Sequence, residues 1–344
     1  MGGQAVLEGI MMRGKYNWAV AVRTPEGEIH TEEHDLVSAA SKHAWMRWPI
    51  VRGVVALVET LSLAMKAFSV SASLAGETEE EQLTPAQISF TMLLGAGLAI
   101  LLFIVGPAAI TNIFFDAADK PFQWNVLDGI LRVVAFFGYV WLIGKMPDIQ
   151  RVFGYHGAEH KTIHAYEHGL PLEASIIQRY ETLHVRCGTS FLLMVMVVAI
   201  VVFSLVPVRD IATALGIGTS LGKLAVAILA RLILLPLVAG LAYEITVKWA
   251  GNNADNPFVK AVLWPGMQMQ RLTTREPDDG MVEVAVAAMG PVIERELRER
   301  GELPPLPAEE IAPGDDGLAA DDAADAIDAV EADTPTAGVD GELT

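Results

Sequence analysis

The chain has one cysteine, Cys187, in 344 residues, so no disulfide can form within it and nothing points to an extracellular disulfide scaffold. The redox compartment stays open on that count alone. A signal peptide is also lacking. The N-terminal MGGQAVLEGIMMRG has no apolar run of the required length and no cleavage site, so insertion is expected to rely on internal helices. Basic character is scarce: the net charge is −18, with 13 of the 42 acidic residues after Gly301, where there is no lysine or arginine, leaving −5 for the rest. The acidity describes a tail, and a nucleic-acid partner is not expected.

What is there is apolar. The sequence is 52 % hydrophobic with a mean hydropathy of +0.38, more than one soluble core needs, and a lipid bilayer is the natural solvent for the surplus. Four segments could cross about 30 Å of hydrocarbon, which takes roughly 20 helical residues. They are Phe90 to Phe114, Val126 to Ile143, Phe191 to Val208 and Leu224 to Tyr243. The first and fourth contain Pro107 and Pro236, which neighbouring helices can accommodate. Lysine and arginine crowd the N-terminal region, the loop from Gly144 to Ser190 and the region after Tyr243, while the other two loops hold only Lys120 and Arg209. Both termini and the central loop are therefore expected in the cytosol, with the protein in the inner membrane.

The segment Pro49 to Phe68 could be taken for a fifth span. Its charges Arg52, Glu59 and Lys66 recur every seven residues, within about 40° on a helix. An interfacial helix, or one packed on the bundle, fits that pattern better. Upstream, NWAVAVRT and IHTEEHD flank the turn-like PEGE and read as a β-hairpin. Met281 to Leu297, preceded by Asp278 and Asp279, reads as a capped helix interrupted near Gly290 and Pro291. The expected fold is mainly α: a polytopic bundle of about four spans with an interfacial helix, a small N-terminal hairpin and a cytosolic histidine-rich helical segment. Residues 1–75 form the N-terminal region, 76–300 the membrane domain with its loop 145–190 and C-terminal helix, and 301–344 an acidic tail expected to be disordered.

The central loop carries the chemistry. In GYHGAEHKTIHAYEHG, His156, His160, His164 and His168 recur every four residues, and on a helix the first three lie within about 80°. Glu159 adjoins that face, and Glu167 lies on a neighbouring stripe. Residues 156–160 also match H-x-x-E-H, in which two histidines bind a metal and the glutamate acts as base. Imidazole suits zinc, iron, manganese or nickel ions. His184 and Cys187 follow in LHVRCGTS and extend the candidate set. The alternatives stay open: a proton-handling or structural polar network, or merely solvated histidines. Cys187 could be a ligand, a packed thiol or a nucleophile. Charges near the spans include Asp128 and Arg132, spaced to pair on one helix, Lys223 at an outer end, and Arg231 with no partner evident. Glu244, at the end of the fourth span, is either a distant metal ligand or an ion-pair residue; Glu8 and Glu59 are weaker candidates of that kind.

Five stretches, GGQAVLEGIMMRG, RWPIVRGVVALVET, YHGAEHKTIHAYE, HVRCGTSF and QRLTTREPDD, together resemble the YqhQ-like bacterial membrane proteins, a family of unknown function (domain of unknown function 1385) sometimes described as predicted metal-dependent enzymes. The resemblance runs from Gly2 to Leu297. Its pattern maps onto His156, Glu159, His160, His164, Glu167, His184 and Cys187, and it also marks Gly2, Gln4, Glu8 and Arg13. Members read HPRCGTSF where this chain has Val185. The leading expectation is a hydrolase-like enzyme using a divalent metal ion, zinc among the candidates. The ligands would come from His156, His160, His164, His184, Cys187 and Glu244, with Glu159 and Glu167 as catalytic carboxylates and an amphiphilic or lipid substrate. A transporter and a scaffold with a metal-tied loop are the rivals.

Overall fold

The structure, a computed structural model, describes residues 1–75, 85–115, 120–184, 187–206, 208–250 and 256–304. The acidic tail from residue 305 and the departure at Val185 lie outside the described residues, as do the side chains of Arg209 and Lys223. Four strands, β1 (Gly2–Val6), β2 (Gly9–Arg13), β3 (Asn17–Arg23) and β4 (Ile29–Asp35), form an antiparallel meander in sequence order. The expected hairpin is β3 and β4, paired from Asn17 with Asp35 to Arg23 with Ile29. Two strands precede it that the sequence reading lacked. Its physical reason is burial on both sides: Ile10, Met12, Ala19 and Ala21 enter one core, and Met11, Trp18, Val20 and Val22 another, so β2 and β3 show no apolar and polar alternation.

The helices follow in order: α1 (Ala39–Lys42), α2 (Val51–Leu74), α3 (Pro85–Ile100), α4 (Gly106–Phe114), α5 (Pro121–Ile143), α6 (Pro147–Glu167), α7 (Ala174–Ile177), α8 (Gly188–Leu205), α9 (Val208–Ala214), α10 (Ser220–Tyr243), α11 (Pro257–Thr273) and α12 (Asp279–Glu299). A 3-10 turn, Ala44–Arg47, precedes α2, and π-helical stretches, Leu101–Val105 and Glu244–Ala250, precede α4 and follow α10. Among the described residues five helical segments are long and apolar enough to cross a bilayer: Val51–Leu74, Leu93–Phe114, Phe122–Ile143, Gly188–Leu205 and Ile228–Ala250. The last four coincide with the expected spans, with ends displaced by a few residues. They mark the chain as a multi-pass membrane protein.

The first of the five, α2, is the segment read as interfacial, and its surroundings are unlike those of the others. It starts at Ile50, whose φ of 69° lies in the left-handed region that a β-branched residue rarely occupies. The surroundings hold it there: Ile50 rests on Gly240, where a Cβ would collide with it, and its N–H donates to Glu244 at 3.3 Å. Arg52 grips the same carboxylate with two bonds of 2.7 and 2.5 Å. Further along, Leu63 and Ala67 close the core under Met11, Trp18 and Val20, and Ser71 donates to the carbonyl of Leu7 at 2.6 Å. Thus α2 is fastened to the end of α10 and then covers one face of the sheet.

The other sheet face is covered by α6 and α12, through Tyr155, Ala158, Val282, Ala285 and Met289. Asp278 caps α12 by accepting from the N–H of Met281 at 2.8 Å. The interruption expected at Gly290 and Pro291 does not occur; α12 runs through Pro291 to Glu299. Buried residues on both sides of the proline, Ala288, Met289 and Val292, anchor the helix and outweigh its local cost. In the bundle, Asp128 and Arg132 pair as their spacing implied, at 2.9 Å. Arg231 finds aromatic partners instead of an acid, over the rings of Trp124 and Phe203 at 5.8 and 5.7 Å.

Candidate metal centre

α6 begins cleanly, with Pro147 in its first turn and Asp148 beside the helix N-terminus. Its middle, Gly154 to Ile163, is then buried but for His156, which is half-buried. Gly157 lets the chain between α11 and α12 cross directly over the helix, since a Cβ there would strike the carbonyl of Arg275. This strap brings Thr273 beside His156, whose Nδ1 lies 2.8 Å from the Thr273 carbonyl. A carbonyl can only accept, so Nδ1 carries the proton and Nε2 presents its lone pair. His160 is held the same way, its Nδ1 donating to the carbonyl of Thr182. Its Nε2 is buried and has no hydrogen-bond partner.

The lone pairs point to a common place. Nε2 of His156 lies 3.3 Å from Cys187 Sγ, and His156, His160 and Cys187 each offer a ligand atom within 4.8 Å of the other two. Two ligands of a tetrahedral zinc, one nitrogen and one sulfur, stand about 3.5 Å apart. Backbone carbonyls that fix the tautomer of each histidine are the usual outer support of a metal site. A cation at the centre would satisfy the orphaned Nε2 of His160, so the donor set fits a divalent ion of the zinc type.

Glu159 lies between the two histidines in sequence and is 5 % exposed. Burial pushes its carboxyl up to about 7, against the pull of His156 and a hydrogen bond from the Gly3 N–H. That contact puts the N-terminal strand against the site: a Cβ at Gly3 would stand 2.9 Å from the Glu159 carboxyl carbon. The glycine is required by this close approach.

His164, His184 and Glu167 form an adjoining group. His164 Nε2 donates to the carbonyl of Leu183 at 2.9 Å, and its ring stacks on Tyr180. His184 meets His164 edge to face at 4.8 Å between ring centres, and its Nε2 is 3.4 Å from Glu167. Burial, then the neighbouring His164 and His160, push His184 down to about 4, so it is neutral near pH 7. Gln270 fixes the loop by accepting from the His184 N–H at 2.8 Å and donating to the His184 carbonyl at 2.7 Å.

With this geometry in view, comparison with known proteins is informative. A family model described as "Protein of unknown function (DUF1385)" matches residues 48–295. The chain belongs to that family. It is also 30 % identical over 322 residues, 88 % of this chain and 95 % of the relative, to the "Uncharacterized protein YqhQ" of Bacillus subtilis (strain 168). No solved structure matches the chain. The region matched by the DUF1385 model holds every residue of the centre, whereas Gly3, which contacts Glu159, precedes it.

Of the residues marked in the sequence, the structure thus gathers His156, His160 and Cys187, with Glu159 buried one position away. His164, His184 and Glu167 gather beside them. Glu244 is placed elsewhere: it is engaged by Arg52 and Ile50 at the start of α2 and takes the ion-pair alternative. Position along a helix does not fix which neighbours its end will meet. Glu59 pairs with Arg13 at 3.0 Å, and Glu8 pairs with Arg151 and accepts from Tyr155 at 3.2 Å. His168 falls where α6 ends and is exposed. Residues the sequence reading did not single out include Thr182, Gln270, Thr273 and the buried Lys161, which reaches Gln178 at 3.0 Å and Glu276 at 2.6 Å. Three of these act through backbone atoms or a side-chain amide, for which spacing carries no signal. Gln270 and Thr273 do fall in or beside the QRLTTREPDD stretch.

Proposed function

We propose that this chain is a membrane-bound, metal-dependent enzyme of hydrolase type, with its catalytic centre at the cytosolic surface of the inner membrane. The observation that carries this reading is the clustering of one ligand atom each from His156, His160 and Cys187 within 4.8 Å, with both Nδ1 atoms committed to backbone carbonyls and His160 Nε2 buried without a partner. Three protein donors leave one tetrahedral position open, as in catalytic rather than structural zinc sites. A divalent ion there supplies Lewis acidity. Glu159 accepts a proton: its carboxyl is buried beside His156, and a base whose pKa lies near the working pH is the most effective. Glu167 orients His184, and the sheet excludes water from the Glu159 side. The lysine and arginine distribution supports cytosolic termini, and a site at the ends of α8 and α11 favours an amphiphilic or lipid substrate.

The transporter reading loses ground to the composition of the spans. Within the four spans expected from the sequence, the described charged side chains are the Asp128–Arg132 pair and Arg231, which is met by aromatic rings. The test is metal content of detergent-purified protein, compared with a His156→Ala, His160→Ala double variant. About one divalent ion per chain is expected, and loss of at least 90 % of it in the variant. Equal metal in both proteins would remove the proposal.

A further inference from the structure

α11 meets the candidate centre with one face and leaves the opposite face open. Val259, Leu263, Gly266, Met269, Gln270 and Thr273 are buried, and the last two hold His184 and His156. The outward face exposes Lys260, Trp264 and Arg271, and Phe258 is exposed at the start of the helix. Lys260, Trp264 and Arg271 follow at steps of four and seven residues, so they form a stripe about 40° wide, with Thr273 opposite Trp264. Phe258 is 66 % and Trp264 61 % exposed, apolar surface that is stabilised by leaving water. α11 contains two cations and no acid in 17 residues. Neither Lys260 nor Arg271 makes an ion pair or hydrogen bond with another of the described residues. The π-helical stretch Glu244–Ala250 adds exposed Trp249, whose ring meets Phe258 edge-on at 6.0 Å, and exposed Lys248, which lies near Glu244.

The same end of the bundle carries the remaining exposed tryptophans. Trp45 and Trp48 precede Ile50, which rests on Gly240, and Trp141 lies in the last turn of α5 with Lys145 over its ring at 3.4 Å. The other two of the seven tryptophans, Trp18 and Trp124, are buried. Exposed indoles beside cations mark the depth of lipid headgroups, and cations with no protein acid near them select headgroups of negative charge.

We propose that the outward stripe of α11, Lys260, Trp264 and Arg271 with Phe258, seats on anionic phospholipid headgroups and so holds the candidate centre at a negatively charged membrane surface. This goes beyond the enzyme reading, and a chain that bound no metal would still show it, so the two can fail separately. The full chain, purified in detergent with equimolar phosphatidylglycerol and phosphatidylcholine, is compared by counting the lipids it retains in native mass spectrometry. Wild type is expected to retain at least about fivefold more phosphatidylglycerol. The preference falls below about twofold in Lys260→Gln, Arg271→Gln and persists in Lys260→Arg, Arg271→Lys. Should the double glutamine variant not elute as wild type, the single variants carry the test, each reducing the preference; singles that leave it unchanged overturn the proposal. So does equal retention of both lipids by wild type, or displacement of phosphatidylglycerol by millimolar inorganic phosphate, which would indicate a free-phosphate site instead.

Discussion

The histidine-rich helix α6 and the first span, α3 and α4, are of comparable length and could hardly be more different. α6 buries ten of its 21 residues, glutamate, lysine and histidine among them; His156, His160 and Lys161 each bond a backbone carbonyl, and His160 Nε2 and Thr162 Oγ1 are buried without a partner. The span Leu93–Phe114 turns its leucines and isoleucines outward, with Leu93, Ile113 and Phe114 among the most exposed apolar side chains. The bundle is built to face lipid and asks little of its neighbours. The layer of α6, α12 and the sheet is built to desolvate polar groups and aim them, so a buried lone pair left over, as on His160 Nε2, asks for a ligand. The candidate centre belongs to that layer, and the start of α8 and the end of α11 meet it through Cys187 and Thr273.

The comparison can be broken in several places. The largest effect is expected at Gly3. Replacing it with valine drives side-chain atoms into the Glu159 carboxyl and the Met11 carbonyl, and overpacking of this kind costs about 1–3 kcal/mol. Thermal unfolding of the variant against wild type measures it, and a Gly2→Ala control, where nothing stands within 4 Å, should be silent. Next comes Arg52→Ala, which strands Glu244 and loosens α2 from α10, at about 1–2 kcal/mol since both side chains are partly exposed.

A smaller and pH-dependent effect is expected at Glu8. The Arg151 guanidinium beside it holds its carboxyl below the usual carboxylate range. A folded-state pKa below the unfolded one means that the pair stabilises fully above the ordinary carboxylate range and that this contribution is lost as pH falls through the depressed value. Thermal stability should therefore decline on acidification below about pH 4.5, and Glu8→Gln should flatten part of that decline. An identical acid profile in wild type and variant would show that Arg151 does not hold Glu8 ionised. Smallest of all should be His168→Ala, since the ring lies exposed at the end of α6, bonding the carbonyl of His164 and leaning on Tyr180; its melting temperature and metal content should match wild type.

These contrasts also explain what could be read in the sequence. The four spans were legible because apolar length is a direct statement about a bilayer, and the α6 histidines because a step of four residues is a direct statement about a helix face. β2 was hidden because a strand covered on both sides loses its alternation, as Ile10, Met11 and Met12 show, and β1, GGQAV, because it buries only Val6 and carries no apolar pattern. The pairing of Glu244 with Arg52, 192 residues apart, was invisible because it depends on which helix ends are neighbours. The carbonyls of Thr182 and Thr273, which turn His160 and His156 toward Cys187, leave no mark on residue type. The ligand candidates were in view, but their partition into His156, His160 and Cys187 on one side and His164, His184 and Glu167 on the other needed the fold.

The central claim is that two imidazoles and one thiolate share an ion. X-ray absorption at the metal edge of the purified full chain tests it most directly. The account predicts one sulfur at about 2.3 Å and two or more nitrogen or oxygen donors at about 2.0 Å, with the sulfur lost in Cys187→Ala. A metal shell of nitrogen and oxygen alone, unchanged by that substitution, would contradict it.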